Sequence, residues 1–480
     1  MIFIGIKRLQ NTIECFDQIE FFIDLYGKLL NKNCYFQILS KMPSLNLNFV
    51  SWNILADGMS RNEFVTNGGD HENTLWSSRC FRITSILQKF LKDQVQVIGL
   101  QENDHPYFIL NEIQKIKPEM RCVHLYAKGA SRSAEKLRID GIFDYLKSSD
   151  NDFQNLTLDL DKREEQNYDR LYSKINQWYK TTPSDQIKNK FTITSFKEEN
   201  AEIFAKVLNR NPDDLYIVND GITLYYDSNV LEFTGPVPSS QMTATDCPTF
   251  FMGKDLACRF KILDSNVTSE NKEPSFINIF CTHLKSGEGL ENEKRRVEQM
   301  SVLLELANDL NEPSVILLDS NTSNLYREEI QKFNQNETNL LDIAVKEFGF
   351  QNIIPTKGNE CFKMRHAQGE QPNKFGNLMF DTIDKILIKT QWCVDFKCIF
   401  PDWLKVLPTE YYDEVLSWRT DETKRNELKR MCCENKWGDD VNKNHIGDNT
   451  FNRSIFYYLY PNQEMPSDHP PVMANITFRL

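Results

Sequence analysis

This sequence has no Cys-x-x-Cys pair, no apolar run long enough to cross a membrane and no excess of positive charge. The first absence matters because 12 cysteines are present. Cys393 and Cys398 are too far apart for a usual zinc knuckle, and Cys432 and Cys433 are adjacent, so no structural zinc site is expected. A chain of 480 residues can bury its core without disulfide staples. Free thiols in a reducing, intracellular compartment are therefore expected, cytoplasmic or nuclear. The second absence leaves no candidate transmembrane segment. The apolar start Met1–Ile6 is too short for a secretory signal, and Glu14, Asp17 and Glu20 argue against a mitochondrial presequence. The third absence is set by 56 Lys+Arg against 68 Asp+Glu, a formal charge of −12. Such a chain is not drawn to nucleic acid by its overall field, so any contact with RNA or DNA needs a local basic patch or a metal ion.

What is present is an alternation of strands and helices. Residues 1–45 read as an extension, with Phe16, Ile19, Ile23, Tyr26 and Leu30 on one face of a docked helix. Strands are expected from Leu45 to Asn53, from Val95 to Leu100, from Phe276 to Cys281, from Ser314 to Leu318, from Ile383 to Ile388 and from Val472 to Phe478. Helices are expected over Asn73–Lys92 and Glu293–Asp309, the first capped by Asn73. Several strands follow one another with no helix between, which indicates a mixed α/β sandwich over residues 46–480. Two charged stretches, about 131–215 and 400–450, read as insertions, where extra length costs little stability. No internal repeat is visible.

Polar residues cluster where these strands end. The segments are Ser51-Trp52-Asn53, Leu100-Gln101-Glu102, Thr282-His283-Leu284-Lys285, Leu318-Asp319-Ser320-Asn321, Thr382-Ile383-Asp384 and Ser467-Asp468-His469. Each alone has an ordinary structural explanation: a turn, a salt bridge, a packed histidine. Six together suggest one pocket. Asn53 and Glu102 supply oxygen donors of the kind Mg²⁺ prefers. Asp319 and Asn321, two apart on extended backbone, point the same way and can grip one metal, water or phosphate oxygen. His283 and Lys285 can stabilise charge developing on a phosphoryl group. A carboxylate paired with His469 would fix its tautomer and suit it to acid–base work; Asp384 and Asp468 are both candidates for that partner.

These segments resemble the endonuclease/exonuclease/phosphatase superfamily, from about Leu45 to Leu480 with the two insertions unmatched. Ser-Trp-Asn-Ile-Leu-Ala at 51–56, Gln-Glu-Asn-Asp-His at 101–105, Asp-Gly-Ile-Thr-Leu-Tyr-Tyr at 220–226, Thr-His-Leu-Lys at 282–285 and Cys-Phe-Lys-Met-Arg at 361–365 are most similar to the branch of nocturnin and the carbon-catabolite-repressor-type deadenylases. The resemblance implies a deoxyribonuclease I-like fold, a four-layered sandwich of two mixed β-sheets flanked by helices. It implies Mg²⁺, with Mn²⁺ as a substitute, held mainly by Glu102 with Asn53 beside it and Asp468 near. Asp319 would orient or deprotonate the attacking water. Asn321 would hold the phosphate, with Lys285 and Arg365 as further substrate contacts. His469, supported by Asp384, would touch the phosphate or act as acid or base, and His283 would stabilise the transition state. One departure is Leu318, where the family usually has glycine.

The expected function is thus Mg²⁺-dependent hydrolysis at RNA 3′ ends by metal-activated water, as in a 3′–5′ exoribonuclease or deadenylase. Two alternatives stand beside it. One is hydrolysis of a small phosphorylated molecule, such as a dinucleotide 2′-phosphate or a phosphoinositide. The other is a binding module with a vestigial site, since a fold does not guarantee a function.

Overall fold

The computed structural model describes residues 44–56, 76–126, 221–238, 249–250, 255–263, 275–287, 290–310, 312–322, 347–355, 359–364, 374–433, 455 and 458–479. The expected helix at 13–30, Asn73 as a cap, the 131–215 stretch and Arg365 lie outside them.

One sheet runs in the spatial order β14 (Cys393–Ile399), β15 (Val472–Arg479), β1 (Ser44–Asn53), β2 (Val97–Asn103), β4 (Gly221–Asp227) and β3 (Met120–Tyr126). The second runs β10 (Phe350–Asn352), β13 (Asp384–Lys389), β9 (Ser314–Asp319), β8 (Phe276–His283), β7 (Asp255–Ile262) and β5 (Leu231–Pro236), with the short β6 (Thr249–Phe250) also paired to β7. β1 with β2 and β8 with β9 are parallel, and the other pairs are antiparallel. Both sheets are therefore mixed, as expected. A two-stranded ribbon, β11 (Cys361–Met364) with β12 (Lys374–Asp381), stands apart.

Strand periodicity explains the layering. Along β9, Val315 and Leu317 pack in the cluster between the sheets, while Ile316 and Leu318 pack in a separate cluster with α3 (Leu290–Asp309). Along β1, Leu47 and Phe49 face the other sheet, while Val50 and Trp52 pack with α1 (Trp76–Lys92) and α2 (Pro106–Gln114). The result is four layers: helices, sheet, sheet, helix. Cys80, Ile83, Ile86, Leu87 and Phe90 recur at helical spacing and line the buried face of α1.

The two sheets approach closely at Gly99. A Cβ there would lie 2.7 Å from Leu317 Cδ1 and 2.9 Å from Cys281 Sγ, inside van der Waals contact. A side chain at this position would wedge the sheets apart.

The described part of 400–450 does more than connect. It holds α4 (Tyr412–Thr420) and α5 (Glu422–Cys433), whose Val415, Trp418 and Leu428 are buried in the outer core of the first sheet. Trp403 packs edge-on against Phe90, 5.0 Å between centroids, and donates its indole N–H to Asp93 at 3.1 Å.

Candidate active site

The inward-facing register of four strands, apolar along its length, turns polar at one end. On β1 it passes from Leu47 and Phe49 through Ser51 to Asn53; on β8 from Ile277, Ile279 and Cys281 to His283. On β9 it passes from Val315 and Leu317 to Asp319, and on β13 from Ile388 and Ile386 to Asp384. His283 and Asp384 are both the cross-strand partners of Asp319, so the three form one row across the sheet. Asn53 lies opposite, at the end of the facing sheet.

Asn53 joins the two sheets. Its amide nitrogen donates to Asp319 Oδ2 at 2.8 Å and to Glu102 Oε1 at 3.2 Å. Its oxygen accepts the Leu55 backbone N–H at 2.9 Å, which fixes the amide's orientation. Asn53 thus holds two carboxylates together. The other Glu102 oxygen accepts the Ala56 backbone N–H at 3.2 Å. His283 Nε2 lies between them, 3.8 Å from Glu102 Oε1 and 3.5 Å from Asp319 Oδ2. Asp319 is fully buried, while the Glu102 side chain is 20% exposed.

Two backbone kinks aim these groups. Glu102 has φ +54° and Asn321 φ +50°, in the left-handed region that side chains with a Cβ avoid. The β2–β4 register also breaks between Leu100 and Asn103. Strand alternation would send Glu102 towards α1; the kink and break release it from that pattern. Asn321 is held by its N–H on Asp319 Oδ1 at 3.0 Å and by its side-chain amide on the Leu284 carbonyl at 3.1 Å. Next to it, the backbone of Lys285 is clamped by α3: its N–H donates to Gln299 at 2.9 Å and its carbonyl accepts from Arg296 at 2.8 Å. The Lys285 side chain is half-buried.

The segment bearing His469 arrives from far along the chain and is tied to β1. Ser467 donates its hydroxyl to the Asn53 carbonyl at 2.6 Å, and the Trp52 indole donates to the His469 carbonyl at 2.8 Å. Arg79 of α1, fully buried, donates to the Pro466 carbonyl at 2.7 Å. His469 Nδ1 then meets Asp384 Oδ2 at 2.8 Å, whereas Asp468 Oδ2 lies 3.7 Å from Nε2. Of the two carboxylates left open by the sequence, Asp384 is the one bonded to Nδ1.

Two further residues come from β11. Lys363 is buried, ion-pairs with Asp468 and places Nζ 3.1 Å from His469 Nε2. Cys361 donates its S–H towards Asp384 Oδ2 at 3.4 Å. The strand is brought here by Tyr460, whose N–H donates to the Phe362 carbonyl at 2.7 Å. Both residues lie in the 361–365 segment noted in the sequence. The two-apart spacing of Cys361 and Lys363 was the available signal, but a four-residue strand is too short to stand out.

The charges act on one another. Burial pulls the His469 pKa down, but Cys361, Asp384 and Asp468, which carry or can carry negative charge, lift it well above the ordinary histidine value. Burial pushes the Cys361 thiol up to about 12, so it is a neutral donor at neutral pH. The 3.1 Å gap between Lys363 Nζ and His469 Nε2 has room for one proton, which either nitrogen can carry, and Nδ1 keeps its own proton in both cases. Asp384 therefore accepts from Nδ1–H. Glu102, Asp319, Asp384 and Asp468 meet Lys363, His283 and His469 in this pocket, so carboxylate charge is in excess. Two carboxylates sharing one amide nitrogen, with oxygen donors throughout, suit a hard divalent cation.

The chain is thus a four-layer sandwich with an acid–histidine pocket where the strands end. No protein-family model and no curated protein matches the chain. Solved structures do. The human nocturnin catalytic domain with bound sulfate is similar at 13% identity, covering 91% of this chain and 98% of that one, TM-score 0.38. ANGEL2, a 2′,3′-cyclic phosphatase, is similar at 11% identity, covering 91% and 96%, TM-score 0.41. An endonuclease/exonuclease/phosphatase family protein from Bacteroides thetaiotaomicron is similar at 12% identity, covering 91% and 100%, TM-score 0.37.

Proposed function

We propose that this protein is a metal-dependent phosphoester hydrolase that uses water as its nucleophile. The observation that supports this best is the meeting of Glu102, Asn53, His283, Asp319 and the Asp384–His469 pair at one end of the sandwich. Glu102 would hold Mg²⁺, with Asp468 as a further assigned ligand; Mn²⁺ has the same oxygen preference. Asn53, also assigned, turns its N–H to Glu102 and Asp319 and would have to turn its oxygen to the ion to ligate it. The ion would polarise a phosphoryl oxygen and offset its charge.

The remaining chemistry belongs to the side chains. Asp319 accepts the proton of the attacking water, and the Asn53 N–H keeps its carboxylate turned to the site. His469, oriented by Asp384, presents Nε2 to the phosphoryl group. A phosphate arriving there draws the Lys363 ammonium off Nε2 and leaves the imidazole free to hold a proton on that atom. His283, Lys285 and Asn321 stabilise charge on the phosphoryl oxygens. Arg365 is a further substrate contact in this reading.

The finer reading is a 3′–5′ exoribonuclease acting on RNA 3′ ends, of the deadenylase kind. It rests on the motif resemblance at 51–56, 101–105, 220–226, 282–285 and 361–365. Incubating the protein with poly(A) RNA, mixed-sequence RNA and NADP⁺, each with Mg²⁺ and with EDTA, tests it. Mg²⁺-dependent shortening of poly(A) ahead of mixed RNA supports the exonuclease. Phosphate from NADP⁺ with RNA intact moves the activity to small phosphorylated molecules.

A further inference from the structure

Cys361, Asp384 and His469 bring together a thiol, a carboxylate and an imidazole, of which a hard cation selects only the carboxylate. Their ligand atoms lie within 4.8 Å of one another, and all three residues are buried. Two of the separations are 3.4 Å from Sγ to Asp384 Oδ2 and 2.8 Å from His469 Nδ1 to the same oxygen. Around tetrahedral zinc, with bonds of about 2.0–2.3 Å, donor atoms sit roughly 3.3–3.6 Å apart. The trio needs an opening of about half an ångström on the nitrogen side to match that spacing. A second observation points the same way: the other oxygen of this carboxylate, Asp384 Oδ1, is buried and has no hydrogen-bond partner. A buried carboxylate oxygen left without a partner is costly, and a bound cation would satisfy it.

The donors differ in kind from those at Glu102. Thiolate and imidazole select Zn²⁺, whereas Mg²⁺ takes oxygen. Both sets draw on the same neighbourhood but not on the same atoms.

We propose that Cys361 Sγ, the Asp384 carboxylate and His469 Nδ1 form a soft-metal site that takes Zn²⁺, and that its occupation switches the hydrolase off. Binding breaks the S–H bond, and the thiol proton leaves to solvent. The imidazole proton moves from Nδ1 to Nε2. There it faces Lys363, whose ammonium turns wholly to Asp468. The Asp384–His469 hydrogen bond is lost, and with Nδ1 on the metal the imidazole can no longer take up a second proton in the course of hydrolysis. The switch rests on the hydrolase reading above; the metal site does not.

Co²⁺ is the probe, because a thiolate bound to it absorbs through ligand-to-metal charge transfer. The full chain is titrated with Co²⁺ in excess Mg²⁺. The band is expected to saturate at one equivalent, to be removed by Zn²⁺ one for one, to vanish in Cys361→Ala and Cys361→Ser, and to survive in Glu102→Gln. Loss of this one ligand should weaken Zn²⁺ by about 100-fold or more. No band in the wild-type chain, or a band that persists in both Cys361 variants, overturns the site. Hydrolysis in Mg²⁺ should then fall in step with Zn²⁺ occupancy and return with a chelator, while Cys361→Ala, compared with its own zinc-free rate, resists. A full band with an unchanged rate overturns the switch and leaves the site. Because the band needs no substrate, a failure of the hydrolase reading is told apart from a failure of the metal site.

Discussion

Glu102 stands at the end of β2 with φ +54°, a conformation that costs a residue with a Cβ about 1–2 kcal/mol. Strain of that size persists where surrounding structure holds it, and here Asn53 and the Ala56 N–H do so. Glu102→Gln keeps the shape and removes the charge. It should lower Mg²⁺-dependent hydrolysis by about 100-fold or more, with a melting temperature close to that of the wild type. Retained activity would remove Glu102 from the metal site. Asp384→Asn keeps an oxygen to accept from Nδ1–H but removes the carboxylate charge that favours a protonated imidazole. Steady-state rates should fall about 10–100-fold, mainly in kcat; a change confined to KM would place Asp384 in binding alone. At this scale Glu102, His283, Asp319, Asp384 and His469 were legible because the first three close apolar strands, Asp384 opens one and His469 immediately precedes one. Lys363 was not, since a lysine buried beside a histidine depends on the 458–469 segment folding over β11.

Between elements, the Gly99 contact decides how closely β2 meets β8 and β9. Gly99→Ala should destabilise the fold by about 1–3 kcal/mol through overpacking against Leu317 and Cys281. Urea unfolding measures this, and an unchanged midpoint would show that the sheets separate at little cost. β3 carries a second element-scale effect. Thr223 of β4 accepts the Asn103 amide at 2.8 Å, so its hydroxyl is free to donate to His124 Nδ1, also 2.8 Å away. Burial lowers the His124 pKa from 6.5 to about 3. The unfolded chain takes up this proton below about pH 6.5 and the folded chain does not until about pH 3. Stability from this residue is thus full above pH 6.5 and is lost as pH falls through that window. Between pH 7 and pH 5 the loss should be on the order of 1–2 kcal/mol, and His124→Gln should lose less over the same range. Equal losses would remove His124 as the cause. The long amphipathic helices and the apolar strands were readable from periodicity. β14 was not: as an edge strand with Val394 and Phe396 exposed, it buries no face consistently enough to imprint alternation. α4 and α5 were read as part of an insertion because their charged residues mask the few, Val415, Trp418 and Leu428, that reach the core.

Across the whole molecule, a net charge of −12 coexists with a pocket that is itself rich in carboxylates. Bulk charge therefore opposes an anionic substrate, and a cation bound at the strand ends would reverse the sign locally. No helix among the described residues is long and apolar enough to cross a membrane, and the described cysteines, Cys361 among them, are free thiols. The sandwich, its two mixed sheets and the meeting point of the six polar segments were legible in the sequence, because alternation fixes which face of each strand looks inward. The identity of the substrate was not, because the strand-end residues address the reacting group and carry no information on the rest of the molecule it belongs to. The most direct measurement is hydrolysis of poly(A) RNA, mixed-sequence RNA and NADP⁺ by the wild-type chain and by Glu102→Gln, each with Mg²⁺ and with EDTA. Product from at least one substrate, abolished by EDTA and by the substitution alike, is the expected result. Hydrolysis that survives both would contradict a metal held at Glu102, and no product from phosphoesters of any class would contradict the hydrolase itself.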